Sequence, residues 1–266
     1  MTQVINVANF KGGVGKTTTT VMLSLLLSQK NNKVLLVDFD PQGNATDLLY
    51  YKTFEKAAPQ KTIYQAIQDK DLTPAIHALT DNLHIIPAEG DLRNFPRLLA
   101  RMFGRDYIKY GFLLDALLMP LKDDYDYIFI DVPPTISDFT DNAIVASDHI
   151  AIVMQTQEFS LGAAEDFIPY VNEVLEKFET DVNLLAAIPV LMKKGGRVDE
   201  LILEEAKKMF KEKLTSSPIK IRERIKAWGL TGIRDEDMHD KEALDMYRGL
   251  AEEMSQRMEK FAMEEI

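Results

Sequence analysis

Cysteine is absent from the 266 residues, which excludes disulfides, thiolate zinc sites and cysteine-ligated iron–sulfur clusters. Long hydrophobic runs are missing too. No stretch approaches the roughly eighteen consecutive apolar residues that read as a membrane span, and the N-terminus lacks the basic-then-apolar layout of a secretory signal. A soluble, cytoplasmic protein is the expectation. Positive charge is in deficit, with 31 Lys and Arg against 42 Asp and Glu, a formal net charge of −11. That balance argues against whole-surface attraction to nucleic acid, so any DNA contact has to be a local basic patch. No internal repeat, low-complexity tract or long linker interrupts the chain, and residues 1–266 read as a single domain with one large core.

What is present is organised around Lys11-Gly12-Gly13-Val14-Gly15-Lys16-Thr17-Thr18. The run from Val4 to Ala8 reads as a buried strand, and Thr17 to Gln29 carries helix-forming leucines, so the glycines lie where a strand hands over to a helix. A helix N-terminus has unpaired N–H groups and partial positive charge, and glycines let a polyphosphate approach that backbone. Lys16 then reaches the β- and γ-phosphates, and the Thr17 hydroxyl helps to hold Mg²⁺. The strict pattern G-x-x-x-x-G-K-[ST] requires glycine where this chain has Phe10, so the match fails by one residue.

Two further strands end in acids. Lys33 to Phe39 runs into Asp38-Phe39-Asp40-Pro41, where the proline breaks the strand and leaves the Asp40 carboxylate at its tip, free to orient water or a Mg²⁺ hydration shell. An Asp-Pro turn that caps the next helix is the alternative. Tyr125 to Ile130 leads into Asp131-Val132-Pro133-Pro134, the Walker B layout, with Asp131 near the metal. Leu83–Pro87, Asp148–Met154 and Leu184–Leu191 supply further strands. Ala45 to Leu79 reads as short helices over one sheet edge, and Asp91 to Met119 as two helices split near Gly104. Arg93, Arg97, Arg101 and Arg105 recur every four residues and form a stripe, either a solvated face or a nucleic-acid contact. Ser160 is a candidate N-cap for the helix after Met154, and Lys241 to Ile266 is one helix with Leu244, Tyr247, Leu250, Ala251 and Met254 inward. This order implies an α/β fold: a mostly parallel, twisted sheet with helices on both faces and a nucleotide at the strands' C-terminal edge.

The C-terminal half holds one basic cluster, Lys193, Lys194 and Arg197 together with Lys220, Arg222 and Arg224. From Ile219 to Trp228 basic and apolar residues alternate, as on a strand entering a turn. Such a cluster suits sequence-independent phosphate contacts, or equally a charged edge strand protected against aggregation.

The stretch K-G-G-V-G-K-T-T resembles the deviant Walker A motif of the ParA/MinD family of P-loop ATPases, and D-x-D-P-Q-x-N and D-V-P-P resemble its two switch segments. The resemblance implies that Lys11 is the signature lysine, reaching the phosphates of the other subunit across an ATP-sandwiched homodimer. Gly12, Gly13, Val14, Gly15, Lys16, Thr17 and Thr18 would bind the nucleotide, with Thr17, Asp40 and Asp131 organising Mg²⁺. Asp40 would position the attacking water, and Glu158 would line the dimer contact or pocket. Cluster-dependent reductases that share the loop are excluded by the missing cysteines. Implied function is a short ParA-type plasmid or chromosome partition ATPase without an appended helix-turn-helix domain. It would bind DNA non-specifically in contact with the nucleoid and be stimulated by a ParB-type centromere-binding protein. A MinD-like membrane-cycling ATPase is the alternative, and the Glu259, Glu264 and Glu265 ending argues against its basic amphipathic tail.

Overall fold

In the computed structural model, residues 1–155, 158–192 and 197–264 are described. Eight strands form one sheet in the order β3-β4-β2-β5-β1-β6-β7-β8, parallel except for the edge pair β3/β4. The strands are β1 (Gln3–Ala8), β2 (Val34–Asp38), β3 (His77–Ala78), β4 (Leu83–Ile86), β5 (Tyr127–Asp131), β6 (His149–Gln155), β7 (Asn183–Met192) and β8 (Ile219–Lys220). The helices are α1 (Lys16–Ser28), α2 (Ile63–Asp69), α3 (Phe95–Phe103), α4 (Tyr107–Gly111), α5 (Leu113–Leu118), α6 (Asp138–Val145), α7 (Glu158–Phe178), α8 (Arg197–Phe210), α9 (Glu223–Thr231) and α10 (Met238–Glu264).

Strand periodicity divides the interior into two cores. Val4, Leu35, Val37, Ile128, Ile130 and Ile152 point to the face covered by α3, α6 and α7. The intervening Ile5, Val7, Leu36, Phe129 and Val153 point to the face covered by α1 and α10. Successive side chains alternate across a sheet, so strands apolar at both parities need helices on both sides. Each such side chain, fully buried, contributes about 1.5–3 kcal/mol. On α1, nearly every residue is buried, and two of its polar side chains bond back to the helix: Thr20 Oγ1 donates to Lys16 O at 3.0 Å and Ser24 Oγ to Thr20 O at 2.8 Å.

Several elements differ from their sequence expectations. The short helices expected between Ala45 and Leu79 include a π-helix, Thr46–Thr53, and the stretch also holds a strand, His77–Ala78, that pairs antiparallel with β4. Asp91–Met119 holds α3, α4 and α5 behind a 3₁₀ turn (Gly90–Asn94), so Arg93 and Arg105 lie outside α3 and only Arg97 and Arg101 share its outer face. The break at Gly104 is real: its φ of +63° is the left-handed region that glycine supplies. Helix α7 begins at Glu158, so Ser160 lies within it and cannot be its N-cap. Alternating charge from Ile219 onward gives only a two-residue strand before α9, because Ile225 and Trp228 bury on one side at helical spacing.

Candidate functional site

Topology brings the acids and the glycine loop together. Central β1 lies between β5 and β6, and β5 is also the neighbour of β2, with Asp38 opposite Asp131 in register. The loop after β1 thus opens beside the tips of β2 and β5, the crevice where α/β sheets bind ligands. Asn9, fully buried, fixes its entry: Nδ2 donates to Val153 O at 2.7 Å, and Oδ1 accepts from Lys11 N at 2.9 Å. Phe10, standing where the strict motif has glycine, leaves the loop altogether. Its ring lies 4.9 Å from Phe167 and 5.1 Å from Tyr170 on α7, anchoring the loop from beneath. Gly13 and Gly15 have φ of +73° and +90°, which any side chain would strain. Gln155 Nε2 ties the turn to β6 by donating to Gly13 O at 2.9 Å. Gly15 is the N-cap of α1 without a side-chain cap, so the first-turn N–H groups face the cleft.

Lys16 is buried, and its Nζ donates to Lys11 O at 3.2 Å, closing the loop on itself. Burial lowers its pKa, while Asp131 and Asp40 act in the opposite sense. Asp131 is wholly buried and its pKa is raised, first by burial and then by Asp38; the Thr17 hydroxyl beside it offsets part of that rise. One oxygen, Oδ1, accepts from Thr20 Oγ1 at 3.3 Å, and Oδ2 has no hydrogen-bond partner among the described residues. An orphaned carboxylate oxygen next to a threonine hydroxyl at a helix N-terminus is a hard-oxygen donor set that fits Mg²⁺. No cluster of three or more metal-ligating side chains occurs among the described residues, and Mg²⁺ in nucleotide sites takes only one or two protein ligands plus phosphates. Asp40 is also buried, which raises its pKa, and its Oδ1 accepts from Gln42 N at 2.9 Å.

Asp38 was not singled out by the sequence reading. Its Oδ2 accepts from Thr46 N at 2.8 Å and Thr46 Oγ1 at 2.7 Å, and Oδ1 accepts from Asp40 N at 3.2 Å. It therefore holds the Asp40 turn against the start of the π-helix, a role that a strand-terminal Asp-x-Asp could have signalled. Like Asp131, it is pushed above the ordinary carboxylate range, chiefly by burial.

A cleft of about 430 Å³ opens in front of α1, lined by Gly15, Lys16, Thr17 and Thr18 together with Asn44, Asp47, Leu48, Val190, Ile225, Trp228 and Tyr247. Its far wall is thus α9 and the π-helix, neither of which the sequence reading assigned to the pocket. These walls are bolted together: Lys52 Nζ bonds Gly229 O, Ile233 N donates to Thr53 Oγ1 at 3.0 Å, and a Cβ on Gly232 would collide with the Lys52 carbonyl.

Of the C-terminal basic cluster, four residues are described. Lys193 and Lys194 lie outside the described residues. Arg222 pairs with Glu242 at 3.3 Å, and Arg224 pairs with Asp237 and, at 3.0 Å, with Asp240. Arg197 and Lys220 are exposed. The side chain of Glu158 is also outside what is described.

A family model described as an AAA domain matches residues 2–184. The sporulation initiation inhibitor protein Soj of Bacillus subtilis is 34% identical over 221 residues, spanning 82% of this chain and 84% of that protein. The chromosome partitioning protein ParA of Myxococcus xanthus is 30% identical over 214 residues, spanning 80% and 73% respectively. A solved structure of a putative plasmid partition protein from Borrelia burgdorferi, bound to AMPPNP, matches with a TM-score of 0.74 at 27% identity over 97% of this chain and 98% of that one.

Proposed function

The chain belongs to the ParA/Soj family of partition-type P-loop ATPases, and from that premise we propose that it is a Mg²⁺-dependent DNA-partition ATPase switched by nucleotide-driven dimerisation. The observation that carries this reading is the convergence of Lys16, Thr17, Asp40 and Asp131 at the strand edge, with Lys11 on the rim of the same loop. Gly12, Gly13, Val14, Gly15 and Thr18 supply the backbone cradle for the phosphates. Thr17 and Asp131 would hold Mg²⁺, which when bound would supply positive charge to offset the negative charge developing on the phosphates. Lys16 exchanges its bond to Lys11 O for a phosphate oxygen. Asp40, steadied by Asp38 and Gln42 N, orients the attacking water. Lys11 reaches the phosphates of the partner subunit, so that ATP joins two copies and hydrolysis separates them, a population switch driven by differential affinity. The dimer binds duplex DNA without sequence preference, associates with the nucleoid and responds to a ParB-type partner.

Membrane cycling is the weaker alternative. Helix α10 commits Leu244, Tyr247, Leu250, Met254 and Met258 to the core, and no helix among the described residues is long and apolar enough to cross a membrane. The test is mass measurement by light scattering with ATP and Mg²⁺, for the natural sequence and for Lys11→Ala. A dimer that forms only with ATP, and a Lys11→Ala protein whose turnover falls by about 10³-fold or more, is the expected result. A monomer in ATP, or unchanged turnover in the variant, overturns it.

A further inference from the structure

The chain of net charge −11 holds ten arginines, and among the described residues they divide evenly into those with and those without a carboxylate partner. Arg222, Arg224, Arg234, Arg248 and Arg257 each sit in an ion pair. Arg93, Arg97, Arg101, Arg105 and Arg197 form none among the described residues, all five are exposed, and four of them lie between residues 93 and 105. Helix α3 buries Phe95, Leu98 and Leu99, which turns Arg97 and Arg101, one helical turn apart, to its outer side. Arg105 follows beyond the Gly104 break, and the next helix presents Tyr107 and Ile108, 61% and 49% exposed. The nearest acid in sequence, Asp106, is occupied by Lys109 at 2.8 Å and by the start of α4, where its Oδ1 accepts from Lys109 N at 3.2 Å.

This ridge is seated beside the candidate site. The Phe95 ring lies 5.0 Å from Phe39, the residue between Asp38 and Asp40, and 5.0 Å from Phe139, just after the Pro133–Pro134 turn. Phe39 and Phe139 also touch each other, with centroids 5.2 Å apart. Phe39 of the Asp38–Asp40 turn and Phe139 of α6 therefore both pack on the first turn of the helix that carries Arg97 and Arg101.

We infer that the α3–α4 ridge, with Arg97, Arg101 and Arg105 as its phosphate-contacting groups, is a docking surface for the backbone of duplex DNA. The inference rests on the DNA-partition reading and places the contact on this ridge, in contrast to Arg222 and Arg224 of the C-terminal cluster, which face carboxylates. Guanidinium groups at one-turn spacing suit consecutive phosphates, and contacts of this kind carry no sequence information. An exposed tyrosine alongside supplies a flat apolar surface for the sugar edge.

The experiment titrates random-sequence duplex with the full chain in ATP and Mg²⁺ across a salt series, using fluorescence anisotropy. Arg97→Gln/Arg101→Gln/Arg105→Gln is compared with Arg222→Gln/Arg224→Gln. The α3–α4 triple variant is expected to lose about tenfold or more in affinity at 0.1 M salt and to flatten the slope of log K against log salt by about two to three. The corresponding lysine triple variant should keep most of the binding, while basal ATP hydrolysis of both triples stays within about twofold and verifies folding. Equal binding by the triple glutamine variant and the natural chain overturns the surface and leaves DNA binding standing. Absence of binding by the natural chain even at low salt overturns the DNA reading itself, and the surface with it. Retention on vesicles of phosphatidylglycerol but not on duplex would make the ridge a membrane contact instead.

Discussion

The loop-and-strand-tip edge and the segment from Ile219 to Trp228 were both marked in the sequence by charged residues in a pattern, yet they fold to opposite ends. At the first, Lys16 from the first turn of α1, Asp40 from the turn after β2 and Asp131 from the end of β5 meet at one buried edge, where all three pKa values are shifted. At the second, Arg222 and Arg224 turn to acids of the next helix and are neutralised. The difference teaches that burying charge with incomplete compensation marks a candidate site, whereas the exposed Arg222 and Arg224 are held by carboxylates close by.

Asp40→Ala puts the strongest load on this contrast. Hydrolysis should fall by about 10²–10⁴-fold with nucleotide affinity nearly kept, read by single-turnover kinetics beside equilibrium binding. Arg222→Ala should leave both within about twofold; an equal loss would erase the distinction between the two regions. Next in size, Arg224→Ala should destabilise the fold by about 1–3 kcal/mol in urea titration, because it strands Asp240, whose side chain is 2% exposed. A result near zero would reduce that pair to a surface contact.

Third is pH. Asp38 and Asp131 have folded-state pKa values above their unfolded ones, so the folded chain binds more protons, and stability falls as pH rises from about 4 towards neutrality. Mg²⁺ and nucleotide favour the ionised carboxylate. The rise in melting temperature on adding them should therefore be larger at pH 8 than at pH 6, and the reverse order would contradict the assignment of Asp131. The smallest effect is optical. Trp228, the single tryptophan, is 1% exposed on the cleft wall with its indole N–H unpartnered among the described residues, so nucleotide should shift its emission by a few nanometres or tens of per cent at most. A spectrum that ignores saturating nucleotide would detach α9 from the pocket.

The parallel α/β architecture and the phosphate loop were legible because local chemistry decides them. A strand, a left-handed glycine turn and a leucine-rich helix leave little choice of where phosphate goes, and Asp-Pro and Asp-Val-Pro-Pro mark strand tips directly. Asp38 escaped because its partners, Thr46 N and Thr46 Oγ1, belong to a π-helix whose sequence T-D-L-L-Y-Y-K-T carries no period of its own. The walls of the cleft escaped for a related reason. Trp228, Tyr247 and Leu48 look like ordinary core residues, and only the long-range packing of α9 on the π-helix brings them to the cleft. Ile219–Trp228 misled because alternating charge fits a strand and a one-sided helix equally well over so short a span.

The bolt between Lys52 and Gly232 bears on recombination. Two stretches nearly 180 positions apart share one close backbone contact that tolerates no added methyl, so neither can be exchanged alone for its counterpart from a relative. A chimera joined anywhere between them should still bind phosphate through its own loop, yet mis-seat the nucleoside end; swapping both stretches together should restore the fit.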